Sequence, residues 1–467
     1  MISEQIILTE KRLYGLKYLL KTFQERYFIM DIENISIPRL LFKMSPPVML
    51  ALLIQSIYNI ADSFFVAKYS IEGLTALSII YPIQLLITAL ATGTGAGVNI
   101  LISRLDGKGE QEEQHHIIKS GLILNFFHFL LFALIGNVLI SAYFSLSTGN
   151  VLVKTQGILY SRIIFCGSVG LFIESVCTKI LQARGNMMVP MVAQVTGSVI
   201  NIVLDIVLIF GAGKIPALGI AGAGFATIVG QWAAMGITLF CVVKKYSLRG
   251  KIKWNFCKQI YVNGVGSIVT QSLYTFYIVG LNMILKTFTE NAVTVLGIYY
   301  KIQSFFFILL LGFQQVLLPL FSYHYGKGDN RWNKEILKWS IGFSVTIMSV
   351  ATEIFFVFPE ELIRIFSTES AIVTIGKYAL PVISVSFVFA GFTIVITSYL
   401  QGIAMIKASL FIIVLRQIIL LVPLAWLFHF AGLYAVWWTF PVTEIVASLT
   451  GILSVVSIHK KDSAINS

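Results

Sequence analysis

The 467-residue chain is 57% hydrophobic and only 12% charged, with a mean hydropathy of +0.84. Soluble domains are roughly 45–50% apolar and about 25% charged, so no water-soluble fold is expected to hide this much apolar surface. A net charge of +12 invites a nucleic-acid reading, but the basic residues are distributed as membrane topology requires, and no nucleic-acid partner is expected.

In chain order, residues 1–37 carry Lys11, Arg12, Lys17, Lys21 and Arg26 on a polar, amphipathic stretch. It lacks the short apolar core and small-residue cleavage site of a signal peptide, and reads as a cytoplasmic or interfacial extension. Leu13 to Phe28 suits a surface-lying helix or a tail equally. Apolar runs of about twenty residues follow, among them Val48–Phe65, Ile123–Phe144, Ile220–Val243 and Ala408–Phe430, each long enough to cross a hydrocarbon core of about 30 Å. Their uniformity excludes the alternation of barrel strands, so the fold class is all-α integral membrane. Twelve spans are counted: six in an N-lobe at 38–245 and six in a C-lobe at 259–458. A basic linker at 246–258 joins the lobes, and 459–467 form a tail.

Basic residues concentrate in alternate loops, namely Arg104 to Lys119, Lys244 to Lys258, Lys327 to Lys338 and Lys460–Lys461. The intervening loops hold Lys68, Lys154, Lys214, Lys286 and Arg364 almost singly. Both termini are therefore expected in the cytoplasm of a multi-pass inner-membrane protein. The four cysteines lack metal-ligand spacing, and no disulfide is expected. No His-rich, Cys/His or nucleophile cluster is present, and His115–His116 read as a solvated face, so an enzyme is not expected and no cofactor is implied.

The chain repeats itself. At an offset of 219 residues Gly73–Gly109 aligns with Ala292–Gly328 without a gap. Thr75, Tyr81, Gln84, Gly93 and Ser103 meet Thr294, Tyr300, Gln303, Gly312 and Ser322, and Leu181-Gln182 meets Leu400-Gln401. Six spans per repeat make the lobes parallel copies, a duplication whose interface commonly holds the substrate pathway.

An ionisable side chain at a span centre costs about 2.5–3.5 kcal/mol on insertion scales. Asp62 sits in the first span with Tyr58 one turn away and Gln55 a turn further back, and Asp205 has Asn201 one turn away. Such carboxyls either carry a proton or hold a cation such as sodium, and the residues alone leave both open. The corresponding region of the C-lobe offers Gln271, Tyr274 and Asn282 but no acid, so these and Gln55 are candidates for a substrate cavity. Tyr81, with Phe64, Phe65, Tyr277 and Tyr300, is a further candidate for binding planar cations. Pro46-Pro47 should bend the helix that carries Asp62. Arg162, Lys179, Lys301, Lys377 and Arg416 are expected to snorkel or pair near an interface, and Glu174, Glu353 and Glu444 to partner basic neighbours.

Residues 38–458 resemble the multidrug and toxic compound extrusion (MATE) family in its bacterial drug-exporter branch. The resemblance rests on Tyr58-Asn59-Ile60-Ala61-Asp62-Ser63-Phe64-Phe65-Val66, Gly107-Lys108-Gly109 with Gly326-Lys327-Gly328, Arg184-Gly185-Asn186, Asn201 to Asp205, and Arg416-Gln417 before Pro423. It implies a V-shaped pair of bundles, functional as a monomer among membrane lipids, that exports small organic, often cationic, substrates in exchange for protons or sodium. It also assigns Asp62 and Asp205 to an N-lobe cation site with Tyr58, Asn201 and Thr227 as hydrogen-bonding members, and Pro47 to a helix bend. With no acid in Gly376–Gln401, a C-lobe ion site is not expected. A flippase for a lipid or lipid-linked saccharide is the alternative on the same architecture.

Overall fold

The computed structural model describes residues 35–246 and 252–465; the expected surface helix at Leu13–Phe28 lies outside them. Twelve spans follow in order, and we label them α1 to α12. The N-lobe comprises α1 Ile37–Tyr69, α2 Ile71–Lys108, α3 Gln111–Ser147, α4 Val151–Gly167 with Val169–Ala183, α5 Met188–Phe210 and α6 Ile220–Lys245. The C-lobe comprises α7 Trp254–Lys286, α8 Glu290–Lys327, α9 Asn330–Val357, α10 Ser370–Gly402, α11 Ile406–His429 and α12 Leu433–Ile458. The shortest continuous span, α5, has 23 residues, which at about 1.5 Å per residue still crosses the hydrocarbon core.

Departures from straight helices have local causes. α4 bends by 44° after Gly167. There the Trp232 indole donates to the Gly167 carbonyl at 2.9 Å, and the Ser168 hydroxyl donates to Phe165 O at 2.9 Å. Groups freed by the break are thus satisfied without water. α3 and α11 each contain a π turn, at Phe132–Gly136 and Leu415–Leu420. α1 runs unbroken through Pro46 and Pro47. α7 begins at Trp254, four residues before the end of the segment read as linker.

The duplication governs backbone detail as well as span order. Gly109 and Gly328 end α2 and α8 in the same left-handed conformation, at φ 77° and 76°. Gly185, at φ 75°, has as its counterpart Ala404, at φ 63°, the one non-glycine residue with positive φ among the described residues. The turn geometry persists in the C-lobe although its glycine has been lost, at a cost of about 1–2 kcal/mol.

The lobes meet where helices come closer than side chains permit. A Cβ on Gly107 would stand 2.0 Å from the Tyr323 carbonyl oxygen, and one on Gly326 would stand 2.1 Å from the Arg104 carbonyl oxygen. These contacts exchange under the 219-residue repeat. A second pair does the same: Gly93 of α2 receives Ile268 of α7, and Gly312 of α8 receives Met49 of α1, each within 3.0 Å of a virtual Cβ. Leu40, Met44 and Val48 of α1 complete the seam by packing with Phe313, Leu317 and Phe321 of α8 and Leu400 of α10. These contacts lie in the half of the bundle nearer the basic loops. In the other half α1 exposes Ile57, Ile60 and Phe64, and α7 exposes Phe276 and Met283. The molecule is a V closed at its basic end.

Valine at Gly107 or Gly326 should prise this vertex apart. In a variant whose four native cysteines are replaced, a reporter cysteine at Asn263, now 5% exposed, should become reactive to a water-soluble maleimide. Gly236→Val, where a Cβ meets nothing within 4 Å, should leave the reporter protected. Continued protection in both vertex variants would show that the glycine contacts do not close the V.

Candidate functional site

Above the vertex lies a cavity of about 360 Å³, lined by α1, α2, α4, α5 and α6 from one lobe and by α7 and α8 from the other. That is within the range of small-molecule sites. Its walls carry seven glutamines, among them Gln55, Gln182, Gln271 and Gln315, and two charged side chains, Glu174 and Lys179. Polar ties cross the cleft. The Gln271 amide donates to Thr92 Oγ1 at 2.8 Å, and the Lys179 ammonium donates to Gln315 Oε1 at 2.8 Å and to Gln182 Oε1 at 2.9 Å.

Gln55, Tyr58, Asn201, Thr227 and Gln271 line this cavity. Asp62 and Asp205 do not; they lie one turn beyond Tyr58 and Asn201 on α1 and α5, which pack along each other. Asn201 is held in place by a tight crossing of α5 and α6, where Gly197 and Gly230 would each set a Cβ 2.6 Å from the other's carbonyl oxygen. Tyr58 and Asn201 therefore stand between the cavity and the carboxylates.

Several polar atoms of this N-lobe cluster have no protein partner. Asp62 Oδ1, both carboxylate oxygens of Asp205, and Oδ1 and Nδ2 of Asn201 are buried and make no hydrogen bond. A buried carboxylate left so is costly, and the cost falls when a proton or a cation joins it. The donor set is all oxygen and amide, which suits a hard cation such as sodium as well as a proton.

Other expected residues lie elsewhere. Tyr274 packs edge-on against Tyr277 and Tyr300 within an aromatic cluster of the C-lobe. Tyr81 is 56% exposed, and Asn282 is half-buried on α7 outside the cavity lining. Lys179, expected near an interface, instead reaches the cavity, because the bend in α4 carries its second half alongside α2, where Asn99 donates to Lys179 O at 3.0 Å. Tyr160, which accepts from Gln84 at 3.3 Å, was not legible as a site residue. Nothing in its local sequence marks it, although Gln84 belongs to the repeat.

The C-lobe counterpart is chemically different. Tyr277, Tyr300 and Gln303, the repeat mates of Tyr58, Tyr81 and Gln84, line a small pocket with Arg416 and Glu444. Leu281 stands at the register of Asp62. Glu444 is bound by the Arg416 guanidinium, so the acid of this pocket already has a cationic partner.

Two duplicated six-helix lobes, a glutamine-rich cavity between them and a pair of carboxylates within the apolar spans of one lobe are the features of a transporter. The MatE family model matches residues 47–207 and again 267–427, one copy in each lobe. The chain belongs to the MATE family, whose members are transporters rather than enzymes. It is 24% identical over 398 residues to an FAD transporter of Shewanella oneidensis, covering 83% of this chain and 87% of that protein. It is 23% identical over 442 residues to the multidrug export protein MepA of Staphylococcus haemolyticus, covering 92% and 95%. Among solved structures, a MOP superfamily transporter from Pyrococcus furiosus superposes with a TM-score of 0.85 at 23% identity, covering 93% of this chain and 97% of that one. These relatives support a secondary transporter for drug efflux.

If Asp62 and Asp205 hold the ion, the melting temperature of the purified protein should respond to sodium or to pH by linkage. Asp62→Asn and Asp205→Asn should each abolish that response. An unchanged response in both variants would place ion binding elsewhere.

Proposed function

We propose that this transporter is an antiporter that exports small organic compounds in exchange for protons or sodium by alternating access, acting as a single chain in the cell membrane. The observation that carries the reading is the set of orphaned oxygens on Asp62 and Asp205, set one turn behind a cavity between the lobes. The basic loops put the closed vertex and both termini on the cytoplasmic side, so the V opens outward, where the ion enters and the cargo leaves. An ion moving down a membrane potential supplies about 2.3 kcal/mol per charge per 100 mV. It can drive the cycle only if ion and cargo favour different states of the same lobes. Tyr58 and Asn201, which line the cavity one helical turn from the carboxylates, are placed to transmit that difference.

The cargo's identity does not follow from the relatives, since an FAD transporter and a multidrug exporter match at almost equal identity. For a cationic compound the cavity offers one carboxylate, Glu174. A flippase for anionic head groups calls for basic cavity walls. Of Lys179, Lys301 and Arg416 only Lys179 lines the central cavity, Lys301 lying over the Phe366 ring and Arg416 being bound to Glu444.

Efflux of a fluorescent organic dye from proteoliposomes, with proton and sodium gradients imposed separately, tests the reading. One gradient should drive export, and Asp62→Asn and Asp205→Asn should abolish it while inserting normally. Efflux at the wild-type rate in either variant would remove the ion site. No efflux under either gradient from correctly oriented protein would remove the antiport reading and favour the flippase.

A further inference from the structure

The two charges in the central cavity, Glu174 and Lys179, lie on one helix and face one space, and neither is in an ion pair within 4.0 Å among the described residues. Glu174 accepts a hydrogen bond from Thr178 at 2.6 Å on its own helix. Lys179 sits between two neutral amide oxygens, Gln182 Oε1 and Gln315 Oε1, one from each lobe. No carboxylate among the described residues comes within 4.0 Å of its ammonium. An ammonium has three donors, and two are used here. An ammonium taken from water without an anionic partner is costly to hold, and the cost is recovered when a counter-anion arrives.

We propose that Lys179 is the specificity-determining residue that receives a carboxylate of the exported solute, so that the cavity selects carboxylate-bearing organic compounds over otherwise identical uncharged or esterified ones. The inference rests on the export reading above and names its substrate class. With Glu174 on the same wall as Lys179, one solute carboxylate leaves a single negative charge, which a basic nitrogen on that solute offsets; a dianionic group would leave two. Gln182 and Gln315 support a carboxylate as well as they now support the lysine. Their amides turn their oxygens to the ammonium, and a rotation presents the NH₂ groups to an arriving anion. Glu174 remains available to a basic nitrogen elsewhere on the same solute, so amphoteric compounds fit the site better than simple cations do.

Rhodamine 110 and rhodamine 123 share one xanthene body and differ by a free carboxylate against its methyl ester. Their binding to the full-length protein in detergent, read by fluorescence anisotropy, isolates the carboxylate from transport. The wild type should bind rhodamine 110 about tenfold or more tightly than rhodamine 123, the scale of a charge-assisted hydrogen bond. Lys179→Gln should erase the preference by weakening rhodamine 110 alone, and Lys179→Arg should keep most of it. Equal binding of the two dyes, binding of neither, or a preference that survives Lys179→Gln would overturn the assignment. Failure of the export reading is separable. A binding preference without gradient-driven efflux sinks antiport and leaves the carboxylate site standing, whereas efflux of both dyes with equal binding does the reverse.

Discussion

The carbonyl oxygens of Tyr323 and Arg104 occupy the space where side chains at Gly107 and Gly326 would begin. In lipid there is no hydrophobic drive to hold two helices together, so association depends on close packing and on polar ties. The vertex uses both. Paired glycines let α2 and α8 touch backbone to backbone and admit Ile268 of α7 and Met49 of α1, and Arg104 reaches across to Asn263 at 3.4 Å and to the Gly402 carbonyl at 3.5 Å. Because the contacts come in pairs related by the repeat, the seam is symmetric. A small rocking of one lobe against the other loosens both members of each pair together. The cavity and its polar ties, Gln271 to Thr92 and Lys179 to Gln315, lie beside this seam and likewise join one lobe to the other.

On that symmetric frame the chemistry is asymmetric. The N-lobe keeps two carboxylates with unsatisfied oxygens, a site that gains by taking up something from solution. The C-lobe keeps the tyrosines and the glutamine of the repeat, but replaces the aspartate of its first span with Leu281 and neutralises Glu444 with Arg416. A guanidinium stays charged at every accessible pH and does not dissociate from the chain. In the proposed cycle the N-lobe carboxylates take up the ion from the medium, while the C-lobe pocket carries its cation as the Arg416 side chain.

Much of this was readable from residues. Apolar runs place the spans, the 219-residue offset exposes the duplication, and a carboxylate in an apolar helix announces itself by its cost. The joint placement of Tyr58 and Asn201 beside Asp62 and Asp205 follows from helical spacing, since a four-residue step is one turn wherever the helix goes. What was not readable depends on contacts between distant spans. Lys179 looks like an interfacial lysine until the bend of α4, caused by Gly167, Ser168 and an indole some sixty residues away, turns it into the cavity. Tyr274 has the right residue type for a cavity wall, but α7 rotates it into the aromatic cluster with Tyr277 and Tyr300. Ala404 carries no sign of its left-handed backbone except that its repeat mate is Gly185.

The central claim is that an ion on the N-lobe carboxylates and a solute in the cavity bias the same V toward different openings. Spin labels at Leu146 and Ile365, which are 90% and 72% exposed at the ends of the two lobes away from the vertex, report that opening as a distance distribution by electron–electron resonance. The distribution should shift between ion-loaded and ion-free protein, move the opposite way on adding solute, and become insensitive to the ion in Asp62→Asn. A distribution that ignores both ligands, or an ion response that persists in Asp62→Asn, would contradict the account.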